Sequence, residues 1–257
     1  MADNQDDALQ ALQKEQEEFD PLQYLYTKIY TCPVCSKRFV DFLVRSSKLR
    51  VINTETDNKT NYKWVNPNLY EIIFCNFCGY AALRSYFDRI TSRQQDMIQE
   101  KITPKYTPLE FPMPLTQEQA LERYRQAVAC ASAINAKISQ KAILSLRMAW
   151  IYRDLEKSVE EQKCLEYAFE GLKTAFGAES FPIGGMDEPN AKYMIAELAR
   201  RLGKLSEAKR WISDVVVNQA IPSGLRERAL AIKELIREAE AKEAEAAKEL
   251  SQADVAN

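Results

Sequence analysis

The chain has 257 residues and a formal net charge of −2, and 46% of its residues are hydrophobic and 28% charged. These values are typical of a globular protein with a sizeable core, and the small net charge gives no global reason to expect nucleic acid. Histidine is absent, which excludes Ser–His and Cys–His nucleophile pairs and imidazole metal ligands, so the composition argues against an ordinary hydrolase.

The start of the chain and its apolar stretches bear on its location. No charged segment followed by an apolar run and a small-residue cleavage site opens the sequence, so we predict no secretory signal. The longest uncharged run, residues 72–83, is well short of the roughly twenty residues that cross a membrane. We therefore expect a cytoplasmic protein without a membrane partner, in a reducing compartment where C-x2-C pairs bind metals more often than they form disulfides.

The first part of the chain divides sharply by charge. Residues 1–20 carry seven acidic residues and one lysine, a sum of −6. Such a polar, acidic segment lacks the apolar residues that folding requires, so we predict a disordered arm. Residues 21–87 carry nine basic and four acidic residues, a sum of +5.

The segment over residues 21–87 has the pattern of a small sheet domain. Short runs rich in Val, Ile, Tyr and Phe alternate with turn signals rich in Asn, Asp and Pro. These runs predict strands over residues 24–30, 38–44, 49–52 and 70–74. A sheet domain of only about 65 residues has a marginal core, so a bound metal would stabilise it.

The remainder of the chain is predicted to be helical. Four prolines between residues 103 and 115 forbid a helix there, so residues 88–115 are predicted to form a connector with one short helix around 92–102. From Thr116, an N-cap with Gln119 three residues later, the apolar period becomes helical. We predict a helical domain over residues 116–236 and a charged helical tail over residues 237–257.

Small and aromatic residues in this helical domain recur at offsets that let two antiparallel helices pack closely. They are Ala149, Tyr152, Cys164 and Ala168 in one stretch, and Ala196, Ala199, Gly203, Ala208 and Val215 in another. The offsets resemble the tetratricopeptide (TPR) repeat. Glu161 replaces an expected alanine, Glu156 replaces the turn glycine, and residues 177–189 break the period of about 34 residues. A plain α-helical bundle is therefore the alternative.

Four of the six cysteines form two C-x2-C knuckles, Cys32 with Cys35 and Cys75 with Cys78. The tight turn in each knuckle directs both sulfurs to one point, and four thiolates suit tetrahedral zinc at metal–sulfur distances of about 2.3 Å. We predict a structural zinc site, because four protein ligands leave no position for water. Iron is the alternative metal.

The other two cysteines, Cys130 and Cys164, each lie within a helical pattern without a neighbouring cysteine. We predict that both are small buried apolar residues. The alternative is a redox-sensing thiol.

A basic stretch lies between the two knuckles. Arg45, Lys48 and Arg50 stand close together in the sequence, with aromatic residues nearby. Such residues contact phosphates and stack on bases in some zinc ribbons, so these three are candidate nucleic-acid contacts. The alternative is a solvated basic face, because the local charge excess is small and no helix suited to a DNA groove is evident.

Several motifs occur in a linked order along the chain. They are Tyr30-Thr31-Cys32-Pro33-Val34-Cys35, Val44-Arg45-Ser46-Ser47-Lys48-Leu49-Arg50, Asn66-Pro67-x2-Tyr70, Cys75-x2-Cys78-Gly79-Tyr80-Ala81 and Leu146-x2-Ala149-Trp150-x-Tyr152-Arg153. This order resembles a bacterial family catalogued as domain of unknown function 2225. The similarity covers roughly residues 28–220. It implies a cytoplasmic zinc-ribbon-like module joined to TPR-like helices in a bacterial protein, and it brings no activity with it.

The sequence thus predicts an α+β chain, with a small zinc-ribbon-like β module followed by a TPR-like helical domain. Our leading hypothesis is a non-enzymatic, zinc-binding adaptor whose helical repeats bind a protein or peptide partner. A nucleic-acid-binding regulatory protein that uses the basic stretch is the first alternative. A redox-responsive switch that releases zinc on oxidation is the second.

Overall fold

A computed structural model of the chain describes residues 20–255, and the side-chain surroundings of residues up to 246. The predicted acidic arm, residues 1–20, lies outside the described residues apart from Asp20. The Asp20 side chain accepts a hydrogen bond from the Leu22 backbone N–H at 2.9 Å and caps the short 3₁₀ helix Pro21–Tyr24. The prediction of an α+β chain is confirmed, since small antiparallel sheets precede a helical region.

The first part of the described chain forms three antiparallel hairpins of two strands each. They pair β1 (Leu25–Thr31) with β2 (Arg38–Val44), β3 (Val51–Thr54) with β4 (Thr60–Tyr62), and β5 (Ile72–Phe74) with β6 (Ala81–Leu83). The sequence predicts β1, β2, β3 and β5 but neither β4 nor β6, which have three residues each. The strand expected over residues 70–74 begins late, because Pro67–Tyr70 forms a 3₁₀ helix capped by Asn66.

Seven α-helices follow in the described part of the chain. They are α1 (Ser92–Lys101), α2 (Gln117–Ala133), α3 (Ile138–Asp154), α4 (Ser158–Ala178), α5 (Glu188–Arg201), α6 (Leu205–Val217) and α7 (Ser223–Val255). Thr91 and Thr116 begin α1 and α2 with capping boxes, as predicted for Thr116. Residues 106–115 contain no helix or strand, in agreement with their prolines.

Short turns of one type join α2 to α3, α3 to α4, and α5 to α6. The residues Asn135, Glu156 and Gly203 occupy the same position in the three turns, with φ angles of 51°, 56° and 70°. In each turn the next residue donates its backbone N–H to a carbonyl five positions back, at 2.8–2.9 Å. These left-handed caps reverse the chain within three or four residues, so α3 packs along α4 and α5 along α6.

Two large hydrophobic clusters form the core, and one of them joins the hairpins to the helices. Tyr30, Phe74 and Tyr80 of the first and third hairpins are buried together with Ile98 of α1 and Tyr124 of α2. The second cluster is built from residues of α3–α7 and the segments that join them. The β module is therefore packed against α1–α3 through apolar side chains.

A buried ion pair adds to this attachment. Arg123 of α2 and Asp41 of β2 contact each other while only 2% and 4% exposed. Arg123 also donates to the Ile72 carbonyl at 2.6 Å, and Asp41 accepts the Phe74 backbone N–H at 3.2 Å. One ion pair thus links α2 to both hairpins that carry cysteines, and its burial is compensated by hydrogen bonds on both sides.

The charged tail predicted over residues 237–257 is described as far as residue 255. Residues 237–255 continue α7 without a break, so the predicted charged tail is helical over its described length. Within the described residues, no helix is both long and apolar enough to span a membrane.

Candidate metal centre

Each C-x2-C knuckle is the turn of a hairpin. Cys32 and Cys75 donate their backbone N–H groups to the carbonyls of Lys37 and Tyr80, at 3.0 and 2.9 Å. Their own carbonyls accept from Ser36 and Gly79, the fourth residue after each cysteine, at 2.9 Å in both cases. The two knuckles therefore have the same backbone hydrogen bonds.

The same correspondence extends to the backbone angles at the end of each knuckle. Ser36 has a φ of 58° and Gly79 a φ of 75°, both in the left-handed region. Glycine is required at the second position for another reason, since a Cβ on Gly79 would lie 2.5 Å from the Tyr106 ring. The sequence indicates the turn at Gly79, whereas Ser36 gives no such signal.

The structure brings the four predicted cysteine ligands together. Their Sγ atoms all lie within 4.8 Å of one another, with 3.6 Å between Cys32 and Cys78 and 3.7 Å between Cys35 and Cys75. A tetrahedron with metal–sulfur distances of about 2.3 Å has edges of about 3.8 Å, so this spacing fits a four-thiolate metal site. All four cysteines are free thiols. Cys35 is partly exposed and the other three are buried.

The electrostatics of the cluster also fit a cation. Hydrogen bonds from Cys32 and Cys78 lower the pKa of Cys75 to about 2. The pKa of Cys32 is raised to about 12, chiefly by its hydrogen bond to Cys75, and hydrogen bonds to Cys32 and Cys75 raise the pKa of Cys78. One thiolate at this spacing opposes the ionisation of the next, so four thiolates require a positive ion among them.

Side chains from the helical region hold the second knuckle by its backbone. Thr103 donates to the Cys78 carbonyl at 3.1 Å, and Gln126 of α2 donates to the Gly79 carbonyl at 2.7 Å. Cys130 of α2 lies between the Gly79 carbonyl and the Ala81 N–H, at 3.4 Å from each. These contacts fix the turn that orients Cys75 and Cys78.

Among the residues that the structure describes, the first knuckle receives one such contact, from the Gln99 side chain of α1 to the Val34 carbonyl at 2.7 Å. The sequence does not identify Gln99, Thr103 or Gln126, because a glutamine or threonine on a helical segment carries no positional signal.

The two remaining cysteines differ in burial: the prediction of a small buried residue is confirmed for Cys130, whereas Cys164 is only partly buried. Burial raises the pKa of Cys130 and of Cys164 to about 11, so both are protonated thiols near neutral pH. Cys130 is 1% exposed and contacts the knuckle, whereas Cys164 is partly exposed on α4. The pattern that predicts a small buried residue did not predict the hydrogen bonds of Cys130.

Comparison with known proteins places the chain in a family. The sequence pattern of a family described as "Uncharacterized protein conserved in bacteria (DUF2225)" matches residues 25–242. The chain belongs to this family. The match confirms the resemblance drawn from the motifs, and it covers every strand and all of α1–α6.

Among curated proteins, an uncharacterized protein of Borreliella burgdorferi (strain ATCC 35210 / DSM 4680 / CIP 102532 / B31) is similar over 157 residues, with 29% identity. The aligned region is 53% of this chain and 55% of that protein, so the chain spans about half the length of this relative. No solved structure matches the chain.

The candidate nucleic-acid residues lie in or beside the 3₁₀ helix Ser46–Lys48, between β2 and β3. Arg45, Lys48 and Arg50 are all exposed, and none forms an ion pair with a residue that the structure describes. Arg45 lies 5.4 Å from the Tyr26 ring centre, and Lys48 lies 5.7 Å from that of Tyr24. The structure thus places two of the three cations over aromatic rings.

A second polar cluster lies where the β3–β4 turn meets the helices. We call residues 55–59 the hairpin tip. Its ends are joined by a hydrogen bond from the Glu55 N–H to the Lys59 carbonyl, 2.7 Å long, and Asn58 has a φ of 65°. The Asp57 side chain accepts the Lys59 N–H at 3.2 Å, which fixes the turn from within.

Asp57 is the centre of the contacts between tip and helices. It has no exposed surface, and its carboxylate accepts from the Trp150 indole N–H at 3.0 Å and the Arg153 guanidinium at 2.7 Å, both on α3. Burial alone would raise the pKa of Asp57, but the hydrogen bond from Arg153 and the charges of Arg201 and Arg153 outweigh it and lower the pKa below its ordinary value.

Thr56 forms hydrogen bonds with side chains of α5. Its hydroxyl donates to Glu197 at 2.5 Å and accepts from Arg201 at 3.2 Å, while its carbonyl accepts from the Tyr193 hydroxyl at 2.7 Å. The hydroxyl and the carbonyl of Thr56 therefore both have hydrogen-bond partners on α5.

The other tip residues make ion pairs and hydrogen bonds with three helices. Glu55 pairs with Arg153 at 2.6 Å, and Lys59 pairs with Asp154 at 2.6 Å. Asn58 accepts from Arg228 of α7 at 2.6 Å. The sequence predicts the turn but not its burial, because three charged residues in five indicate a solvated loop.

Proposed function

We propose that this protein is a non-enzymatic, zinc-binding interaction protein. Cys32, Cys35, Cys75 and Cys78 hold a structural zinc ion, and the helical pairs carry the surface for a protein or peptide partner. The observation that carries the proposal is the cluster of four thiols within 4.8 Å, built by two knuckles with the same backbone geometry. Thiols of this kind stay reduced in the cytoplasm, the location we propose.

Several features support a structural role for the metal. When bound, zinc supplies a cross-link between two hairpins, and four protein ligands leave it no open position for a substrate or water. The knuckles contribute their four sulfurs, while Gln99, Thr103, Gln126 and Cys130 hold the turns in place. With no histidine in the sequence, the site also lacks the commonest general base.

The helical region supports the interaction role. Helices α3 with α4 and α5 with α6 form successive pairs with one turn geometry, which is the arrangement that TPR-like repeats use to build binding surfaces. The departure at Glu161 has a physical reason here, because Glu161 accepts from Arg153 at 2.7 Å. We propose that residues 116–236 form a TPR-like unit on this basis.

The test combines metal analysis with identification of what co-purifies. We expect about one zinc per purified chain, little or none in Cys35→Ser, and full content in the control Cys164→Ala, whose thiol is outside the cluster. Partner capture should depend on residues 116–236. Absence of metal from the unmodified protein, or equal metal content in both variants, would refute the zinc assignment; capture independent of the helices would refute the interaction role.

A second candidate function is nucleic-acid binding through the basic stretch. The observation that favours it is the exposed Arg45 guanidinium over the exposed Tyr26 ring, because this pair offers both phosphate contact and base stacking. This function would use the exposed cations in and beside the 3₁₀ helix Ser46–Lys48.

Electrophoretic mobility at low and moderate salt tests this candidate. We expect DNA or RNA binding whose affinity falls as the salt concentration rises. Replacing Arg45, Lys48 and Arg50 by Ala should lower the affinity and make it less dependent on salt, because fewer phosphate contacts remain. The control replaces three other exposed cations, Lys209, Arg210 and Lys233, by Ala. Unchanged mobility of both nucleic acids at low salt would remove the candidate.

A further inference from the structure

The face formed by α3, α5 and α7 is already occupied, and its occupant belongs to the same chain. The hairpin tip contacts Trp150 and Arg153 of α3, Tyr193 and Glu197 of α5, and Arg228 of α7. The contacts come from three helices, and they converge on a turn of five residues. This arrangement has the form of a binding site with a ligand in place.

The occupant is attached mainly by polar contacts. Among the described residues, none of residues 51–62 belongs to a buried hydrophobic cluster. All four residues of β3 are exposed, including Val51 at 60% and Ile52 at 65%. Interfaces held by hydrogen bonds and ion pairs resemble transient interfaces between proteins more than a domain core. The hairpin is therefore exchangeable in a way that the knuckle hairpins are not.

The helical side of the contact is built independently of the tip. Glu197 has no exposed surface and accepts from Arg200 at 2.7 Å and from Arg201 at 2.7 Å, all within α5. Glu161 of α4 holds Arg153 in the same way. These partners orient the groups that meet the tip, so the face stays pre-organised when the tip leaves.

The face of α3, α5 and α7 offers a specific set of hydrogen-bonding groups to a ligand. It offers an indole N–H and two guanidinium groups to a carboxylate, a carboxylate to a hydroxyl, and a phenol to a backbone carbonyl. The matching ligand is a tight turn with an acidic residue directly after a threonine, as in Glu55-Thr56-Asp57. An amide in place of the acid cannot accept from both cations with the same strength.

We propose that the face of α3, α5 and α7 is a recognition site for an acidic turn, that the chain's own hairpin tip fills it, and that an acidic turn of a partner protein takes the tip's place. The inference rests on the proposed interaction role of the helices and names the partner's chemistry. The tip is tethered to both knuckles, which keeps its effective concentration high, so an outside ligand competes weakly until the tip is released.

The test uses the full chain and a labelled probe peptide of residues 51–62, cyclised through its ends to keep the hairpin turn. The decisive variant carries Glu55→Gln and Asp57→Asn, which weaken the chain's own tip and leave the helices unchanged. By fluorescence anisotropy, we expect this variant to bind the probe at least about tenfold more tightly than the unmodified chain. The reason is that its own tip competes less well, because each lost hydrogen bond between charged groups weakens tip binding by about this factor. A probe with Asp57→Asn should not bind.

A matched pair of tyrosine changes locates the binding. Tyr193→Phe in the double variant removes the hydroxyl that meets the Thr56 carbonyl, so probe affinity should fall several-fold. Tyr167→Phe removes the same atom from a side chain that is 74% exposed on α4, and it should have no effect. Equal effects of the two changes would contradict the proposed location.

Two results would overturn the proposal. One is a folded double variant, with unchanged circular dichroism, that binds the probe no better than the unmodified chain does. The other is a double variant that does not fold, since the tip would then be an integral part of the structure and not an exchangeable occupant. Neither result depends on zinc content, so this inference and the metal assignment fail separately.

Discussion

Asp57 shows how one carboxylate can control a contact between distant segments. It is fully buried, and its charge is balanced by Arg153 at 2.7 Å and Arg201 at 3.6 Å. Removing one partner of such a buried pair leaves the other uncompensated, which costs more than the pair contributes in net terms. The ion pairs of Asp57 therefore contribute stability only while this carboxylate is ionised.

The pH dependence follows from the lowered pKa of Asp57. Above an unfolded-state pKa of about 3.9, the group is charged in both states and its stabilising contribution is constant. As the pH falls below about 4, the unfolded chain binds the proton first, and the contribution is lost as the pH passes through the folded-state pKa. Glu55 acts in the same direction, because the hydrogen bond from Asn61 and the charge of Arg153 outweigh burial and lower its pKa.

We expect Asp57→Asn to reduce the free energy of unfolding by about 2 kcal/mol at pH 7. Its stability should also fall less steeply than that of the unmodified chain between pH 5 and pH 3. Urea unfolding at several pH values measures both effects. The control Asp96→Asn changes an exposed acid of α1, and it should alter neither the free energy of unfolding at pH 7 nor its dependence on pH. Parallel pH profiles for the unmodified chain and Asp57→Asn would contradict the assignment.

At the scale of single elements, the turn between α3 and α4 contains a residue in a conformation that suits glycine. Glu156 has a φ of 56° and an exposed side chain, at the position that Gly203 takes between α5 and α6. A side chain in the left-handed region costs roughly 1–2 kcal/mol relative to glycine.

Glu156→Gly should therefore raise the free energy of unfolding by about 1 kcal/mol. Thermal or urea unfolding measures the change. Asn135→Gly, at the corresponding turn between α2 and α3, should give a smaller gain, because asparagine tolerates this conformation better. A loss of stability in Glu156→Gly would mean that the Glu156 side chain makes a stabilising contact.

The elements differ in how well the sequence predicts them. Helices with a regular apolar period and a marked start, such as α2 after Thr116, follow directly from local chemistry. The strands β4 and β6 do not, because three residues are too few for a periodic signal and pairing across a turn decides them. Glu156 was recognised as a departure from a repeat, yet only the backbone shows that it keeps the glycine's conformation.

The candidate site divides in the same way. The four cysteines are predictable because metal ligands have a fixed chemistry and a tight spacing. The groups that hold them, such as Gln126 and Thr103, depend on which helix lies beside the knuckle, and that is a matter of tertiary packing. The burial of Asp57 was unpredictable for the same reason, since its partners are more than ninety residues away.

For the whole molecule, the two hydrophobic clusters predict an uneven response to metal removal. The knuckle hairpins share one cluster with α1–α3, whereas the second cluster contains no residue of the hairpins. We expect a chelator to reduce hydrogen-exchange protection in β1, β2, β5 and β6 while α4–α6 keep theirs.

Zinc added back should restore the lost protection, and Cys35→Ser should show the same pattern without chelator. Cys164→Ala serves as the control and should resemble the unmodified chain. Loss of protection throughout α4–α6 on chelation would contradict the independence of the second cluster.

The two knuckles are alike in backbone but unequally supported. The backbone of the second knuckle is held by Thr103, Gln126 and Cys130, and the Tyr106 ring covers its Gly79. The backbone of the first knuckle is held by Gln99. Cys35, in the first knuckle, is also the most accessible of the four thiols. In the proposed zinc site, we therefore expect ion exchange to begin at Cys35, at a rate set by the opening of one hairpin turn and not by the unfolding of the helices.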